Sequence, residues 1–447
     1  MWAAMVTVLI GLWIMVSPEL TVFERSAAIN HFIAGPLAVT VGVIAIWEVN
    51  RGARYLNTVL GIWLVLSPLL LSYTIAANSW NSIVSGALII IFSLIKGKTK
   101  YAYGGGWDIL FNADQTFFKN KVVVITGATG GVGRVAAWEF AKQGARVALI
   151  ARDVAQLEGT VREVREYGGA ALPIVLDLAD AEKIEAAVER IEREWGPIDV
   201  WINNAMNSVF APFTEITAEE FRRVTDVTYL GSIYATMSVL RRMKARNQGA
   251  IVFVGSALAY RGIPLQSAYC GAKHGLQGFY DSLRTELKHD KSAIKTCMVQ
   301  LPAMNTTQFG WVLSKLPNKA QPMGKVYQPE VAARAIVFAA QHNRREVLVG
   351  FPTYKAIVGN KIAPWYADWV LSRQGYSGQQ TETPADPDRK NNLWEPVGED
   401  RGAYGTFESV AARTSFTLWI SMHRAWVRLA VIMAITAIAF LLFFYQT

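Results

Sequence analysis

Charge is scarce in this sequence, and the scarcity is local. Asp, Glu, Lys and Arg make up 18% of the 447 residues, where a soluble domain carries about 25%. Residues 1–18, 26–47, 55–95 and 429–447 hold none at all, and the stretch from about 100 to 425 has the composition of a globular protein. Cysteine is scarcer still. Cys270 and Cys297 are the only two, too few for a disulfide framework and wrongly spaced for a metal site, which fits a reducing compartment. The net charge of +9 lacks the basic clusters with interleaved aromatics that bind nucleic acid. Several of the positives flank apolar runs instead, as at a membrane surface.

Those apolar runs are long enough to matter. A membrane-crossing helix needs about 20 mostly apolar residues. Four such spans are expected near 1–17, 30–48, 56–74 and 80–95, and a fifth near 428–445. The first lacks the basic start and small-residue cleavage site of a signal peptide. The front half repeats: Gly11-Leu-Trp-Ile-Met-Val-Ser-Pro18 matches Gly61-Ile-Trp-Leu-Val-Leu-Ser-Pro68, and Asn30…Gly35 matches Asn81…Gly86. Two hairpins of two helices follow from this. The pattern resembles the SPW-repeat membrane proteins, with Glu19 and Leu69 where that family's tryptophan stands. Arg51, Arg54, Lys96, Lys98 and Lys100 fall on one side, with Arg424 and Arg428 before the last span. By the positive-inside rule that side, and the globular domain with it, is cytoplasmic. No span interior carries a formal charge, so an anchor is expected rather than a transport path.

From about 119 onward, short apolar runs alternate with helical patterns. Strands are expected at 121–126, 146–151, 172–177, 198–203, 250–255, 295–301 and 346–350, with helices such as 131–143, 180–195 and 218–245 between them. Continuous apolar strands separated by helices imply a parallel sheet covered on both faces, a doubly wound α/β (Rossmann) fold. Its ligand crevice lies at the carboxyl ends of the strands.

The motifs fall at those ends. Strand one runs into Thr126-Gly-Ala-Thr-Gly-Gly-Val-Gly133. Gly127, Gly131 and Gly133 permit a tight turn and close approach of backbone to a pyrophosphate, which the following helix N-terminus attracts. Thr126, Thr129 and Val132 belong to the same loop. Strand two ends at Ala151, followed by Arg152 and Asp153. An arginine there favours the 2′-phosphate of NADP(H), and the adjacent acid keeps NAD(H) open as the second choice. Asp177 closes strand three, and Asn203-Asn204-Ala205 closes strand four.

Strand five ends at Ser256, thirteen residues before Tyr269, and Lys273 follows four later on the same helix face. Hydride transfer to a carbonyl leaves an alkoxide that needs a proton. Tyr269 can supply it if the Lys273 ammonium lowers the phenol from its free pKa of about 10. Ser256 can donate to the substrate oxygen. With these motifs in this order, residues 119 to about 355 resemble a short-chain dehydrogenase/reductase. The resemblance implies catalytic roles for Ser256, Tyr269 and Lys273, and a sheet-steadying role near the cofactor for Asn203 and its neighbours. It places Thr228 where the family's relay asparagine stands, with a hydroxyl that could substitute in part. Pro302 with Ala303 replaces the family's Pro-Gly, and Asn305 and Thr306 form the nicotinamide-side loop. Met206 stands where Gly is usual.

Substrate-lining candidates are Met206, Ala257 to Tyr260, Met304 and Trp311. They are mostly apolar, which on a membrane-tethered enzyme points to a lipophilic alcohol or carbonyl. The expected organisation is a four-span domain (1–100), a catalytic domain (116–355), an irregular connector (356–425) and a last span (426–447). Expected partners are a small, lipid-like substrate and the bilayer, with homo-oligomerisation left open. The competing reading is a catalytically weak NADP(H)-binding membrane regulator.

Overall fold

The computed structural model describes residues 2–46, 52–95, 117–386, 388–424 and 427. It divides into two compact units, residues 1–113 with 419–447, and residues 114–418.

Within the first unit lie four helices, α1 (Trp2–Leu20), α2 (Arg25–Ile46), α3 (Arg54–Leu70) and α4 (Ala76–Leu94). Three are long and apolar enough to cross a membrane; α3 is apolar and slightly shorter. The expected span at 428–445 lies outside the described residues. The sequence repeat becomes a structural one. Each hairpin closes on glycines: a Cβ on Gly11 would lie 3.1 Å from the Gly35 carbonyl oxygen, and one on Gly61 would lie 2.7 Å from that of Gly86. Small residues let apolar helices approach this closely. The two hairpins are then tied reciprocally. Trp13 of the first repeat donates its indole N–H to Asn81 of the second at 2.9 Å, and Trp63 of the second donates to Asn30 of the first at 2.8 Å. His31 is fully buried between Ser17 and Ser82 at 3.3 and 2.7 Å.

A seven-stranded parallel sheet forms the centre of the second unit. Its strands are β1 (Val122–Thr126), β2 (Arg146–Ala151), β3 (Ala170–Val175), β4 (Val200–Asn203), β5 (Ala250–Ser256), β6 (Lys295–Leu301) and β7 (Glu346–Leu348), in the order β7-β6-β5-β4-β1-β2-β3. The order reverses at β1, which makes a topological switch point at its carboxyl end. β1 and β5 are buried at every residue, as strands covered on both faces must be. The covering helices are α5 (Gly131–Ala141), α6 (Val154–Glu166), α7 (Ala181–Trp195), α8 (Ala218–Thr225), α9 (Gly231–Arg246), α10 (Ser267–His289) and α11 (Pro329–Gln341). Asp153 and Asp180 cap α6 and α7, and Thr217 with Glu220 forms a capping box on α8. This is the doubly wound fold expected.

Two segments differ from expectation. The helix expected at 218–245 is interrupted by a π turn, Asp226–Leu230, within which the Thr228 hydroxyl accepts from the Asn207 amide and donates to its carbonyl. The supposed irregular connector is an integral part of this unit. α12 (Gly350–Ile362) runs into the connector's expected start at 356, and α13 (Pro364–Gln374) lies within it. Next, a strand Gln380–Pro384 pairs with Asn318–Ala320, and the buried Gln379 binds Gln266 and the Pro264 carbonyl. Residues 388–412 then form a strap of bends and turns without regular secondary structure, with Leu393, Val397 and Ala403 buried. Its polar residues concealed this, since most of its bonds are made by backbone groups and by buried arginines elsewhere in the unit.

Candidate active site

A cavity of about 500 Å³ opens at the carboxyl ends of the strands. The loop after β1 forms its floor. Gly127 and Gly131 hold φ of +63° and +50°, which side chains rarely adopt. A Cβ on Gly131 would lie 2.7 Å from Thr306, and one on Gly133 would lie 2.2 Å from the Gly127 carbonyl oxygen. Gly130 caps α5 without a side chain, so no side chain competes for the first-turn N–H groups of that helix.

Ser256, Tyr269 and Lys273 line the same cavity. Ser256 accepts a hydrogen bond from the Leu258 amide at 3.1 Å, which leaves its own O–H free to turn to another acceptor. Lys273 is buried and donates to the Val254 carbonyl at 2.7 Å, with its ammonium 5.6 Å from the Tyr269 ring centre. Burial pushes the Lys273 amine down to about 8. Burial also pushes the Tyr269 phenol up, opposed by a hydrogen bond with Ser256.

At the far end stands Arg152, whose guanidinium donates to the carbonyls of Asn392, Leu393 and Trp394 and lies 3.7 Å from Asp177. Asp177 also pairs with Arg223 and accepts from the Ala179 amide. Burial acts against its charge, yet Arg223 holds its pKa below the ordinary range. Asp153 also lines the cavity, its carboxylate accepting from the amides of Gln156 and Gly398.

The strap thus contributes to this site. Asn392, Pro396 and Val397 line the cavity. Asp400 and Glu163 grip the buried Arg134 at the start of α5. Burial opposes its charge, but these two carboxylates raise its pKa above the ordinary arginine value.

Residues 121–315 match the family model for the short chain dehydrogenases, and residues 1–96 match that of the SPW repeat domain. An oxidoreductase of Bacillus subtilis, named YxnA and described as uncharacterized, is 30% identical over 62% of this chain and 78% of its own length. The chain belongs to the short-chain dehydrogenase/reductase family. Human dehydrogenase/reductase SDR family member 7 is 30% identical over 57% of the chain and 78% of that protein. The 3-dehydrosphinganine reductase of Danio rerio is 31% identical over 48% and 67%. Among solved structures, a short-chain dehydrogenase from Streptomyces avermitilis is 25% identical, covers 57% of this chain and 97% of its own, and superposes with a TM-score of 0.48. This short-chain dehydrogenase/reductase is accordingly an NAD(P)-dependent oxidoreductase fused to an SPW-repeat domain.

The cavity fits a dinucleotide. Besides the glycine cradle, the buried Thr307 hydroxyl aims at no hydrogen-bond partner among the described residues. Of the residues expected to bind the cofactor, Gly127, Thr129, Gly131, Val132, Arg152, Asp177, Ala205, Tyr269, Lys273, Pro302 and Thr306 line the cavity. Thr126, Gly133, Asn203 and Asn305 do not. The Thr126 hydroxyl stitches β1 to β4 through the Ile202 carbonyl and the amides of Asn204 and Ala205. Gly133 is a packing position against Gly127. Asn203 bonds Trp201 and Thr236, and Asn305 bonds Gln328 and the Phe407 amide. Thr228, expected in a relay, is buried outside the cavity with its hydroxyl committed to Asn207.

On the substrate side Met206, Ala257, Leu258, Met304 and Trp311 line the wall. Ala259 and Tyr260 do not; the Tyr260 hydroxyl donates to Glu346. The sequence reading missed Pro322 to Gly324, Pro352 and Ala356, which complete that wall. The apolar run of α12 was the one signal that could have suggested the last two.

Proposed function

We propose that this chain interconverts a lipophilic carbonyl and its alcohol with NADP(H), with Tyr269 as the general acid/base, at the cytoplasmic face of a membrane. The observation carrying the reading is that Ser256, Tyr269 and Lys273 share one cavity with the glycine loop. When bound, the nicotinamide supplies or accepts the hydride. In the reductive direction the Ser256 hydroxyl donates to the carbonyl oxygen and fixes its direction. Tyr269 delivers its proton to the same oxygen as negative charge develops there. Lys273, charged at neutral pH even with its lowered pKa, stabilises the phenolate left behind.

Two features support NADP(H) over NAD(H). Arg152 and Arg223 both reach the carboxylate of Asp177, with Glu395 also acting on the charge of Arg152, and Asp153 spends its carboxylate on the cap of α6 and on Gly398. A 2′-phosphate beside the Arg152 guanidinium gains a charge-assisted hydrogen bond that a bare 2′-hydroxyl does not. Arg152→Ala is expected to raise the KM for NADPH about tenfold or more while leaving that for NADH within about threefold; equal effects on both would remove the specificity role.

The decisive test is Tyr269→Phe in the full chain. Turnover of a carbonyl panel that includes 3-dehydrosphinganine should fall by about 10²-fold or more, with NADPH binding retained. Unchanged turnover would overturn the assignment. The alternative, an idle cofactor-binding regulator, has in its favour that Thr228 is tied to Asn207 and leaves Lys273 without a relay hydroxyl there. It predicts NADPH binding with no oxidation across the panel.

A further inference from the structure

The helices α12 and α13 are built the wrong way out for a protein surrounded by water. One side of α12 belongs to the unit: Thr353 and Ile357 are buried, and Pro352 and Ala356 line the cavity. The opposite side carries Phe351, Val358 and Ile362, and α13 continues it with Trp365, Tyr366 and Trp369, all six exposed, Ile362 at 77% and Trp365 at 70%. On α12 the spacing 351, 358, 362 puts three of these on one helix face, and on α13 the spacing 365, 366, 369 does the same, the two helices meeting at the non-helical Ala363. A stripe of this kind on a water-soluble surface marks a site of association.

We infer that α12 and α13 dock on the surface of a lipid bilayer and deliver lipophilic substrate from it to the cavity. Three observations select this occupant. The stripe is rich in tryptophan and tyrosine, whose apolar bodies and polar tips favour the headgroup level of a membrane. Tyr366 and Trp369 stack at 5.8 Å, and Arg373 lies over Trp369 at 4.3 Å, so the aromatic surface is held in place and carries a cation at its rim. The charge is complementary to anionic lipid: residues 350–376 contain Lys355, Lys361 and Arg373 against the single acid Asp368, and that acid is paired with Arg261. Cations so placed are attracted to an anionic lipid surface. The third observation is continuity. The helix that presents Phe351 and Val358 outward presents Pro352 and Ala356 inward, so the bilayer surface and the cavity are separated by one helix thickness. A lipophilic substrate need not cross water between them. The delivery part rests on the proposed carbonyl chemistry; the docking part does not.

The test uses the full chain reconstituted in phosphatidylcholine vesicles with and without phosphatidylglycerol. Ile362→Cys and Trp369→Cys are labelled with an environment-sensitive fluorophore, the two native cysteines being buried and the unsubstituted chain giving the labelling background. Docking predicts quenching by doxyl-labelled lipid and protection from aqueous iodide, both stronger with phosphatidylglycerol. Labels open to iodide, or shielded from iodide and lipid alike because protein covers the stripe, would overturn it. Delivery is read separately with Trp365→Ser/Trp369→Ser. The KM for a vesicle-borne long-chain ketone should rise about tenfold, with turnover of a small water-soluble ketone unchanged. An unchanged KM would overturn delivery. Loss of all carbonyl turnover in the unsubstituted chain would sink the proposed chemistry, and delivery with it, while the quenching result still decides docking.

Discussion

Lys273 shows how one residue is asked to do two opposed things. Its ammonium must be charged to stabilise a phenolate, yet it is buried and its pKa is pulled from the ordinary 10.5 to about 8. Burial therefore destabilises the fold. Between pH 8 and 10.5 the unfolded chain binds the proton more tightly than the folded one, so this penalty is full below pH 8 and is relieved as pH rises toward 10.5. Its size is of the order of 3 kcal/mol, offset by about 1 kcal/mol from the hydrogen bond to Val254. Lys273→Met should consequently unfold at a higher temperature than the parent at pH 7, by a few degrees, with the gap closing near pH 10. Parallel melting curves in one detergent would check this; a gap that is constant with pH would mean that the charge is not the cause. The same residue predicts that the reductive rate declines above pH 8 as the ammonium is lost, visible as a falling kcat in a pH profile.

Among the elements, the strap 388–412 is the least legible from sequence and among the most consequential for the site. The glycine loop, Ser256 and Tyr269 could be placed because each motif follows an apolar strand, and a parallel sheet brings all such ends together. The strap has no periodicity to read. Its hold on Arg152 runs through three backbone carbonyls, which any side chains would supply, and its hold on Arg134 pairs residues 266 positions apart. Asn305 and Thr126 fall outside the cavity lining for a related reason: their side chains are spent on Gln328 and Phe407, and on β4. Register was also harder to read than topology, since β3 ends at Val175 and leaves Asp177 in the following loop. The strap's anchor makes a prediction of its own. Hydrogen bonding from Arg134 keeps the Asp400 carboxyl below its ordinary pKa, so the pair contributes stability above the ordinary carboxylate range that is lost as pH falls through the depressed value. Asp400→Ala leaves Arg134 with Glu163 and the Thr129 carbonyl and frees the segment that carries Pro396 and Val397 over the cavity. NADPH should dissociate about three- to tenfold faster, with kcat for a soluble ketone little changed. An unaltered dissociation rate in stopped-flow fluorescence would show that the strap does not retain the cofactor.

For the whole molecule the question is what the membrane helices add to the chemistry. Every cavity-lining residue falls within 114–418, the second compact unit. The first unit is held by its own bonds, the Trp13–Asn81 and Trp63–Asn30 pairs that tie one repeat to the other. Units so divided should fold independently. A chain restricted to 114–418 is therefore expected to bind NADPH and to turn over a water-soluble ketone within about threefold of the full chain. With a ketone presented in vesicles it should fall behind by tenfold or more, because a tether replaces free diffusion with a high effective concentration at the membrane. The boundary at the other end is sharper. A chain restricted to 114–386 keeps the glycine loop, the sheet and Ser256, Tyr269 and Lys273, but it lacks the carbonyls that orient Arg152, the carboxylate that grips Arg134, and Leu393, which packs with Val209, Ala211, Val224 and Ala268 beside Tyr269. Removing that buried leucine alone is worth about 2–5 kcal/mol. Isothermal titration of the two truncated chains with NADPH separates the possibilities: binding by 114–418 and its loss in 114–386 is the expected pair, and equal binding by both would reduce the strap to a surface covering.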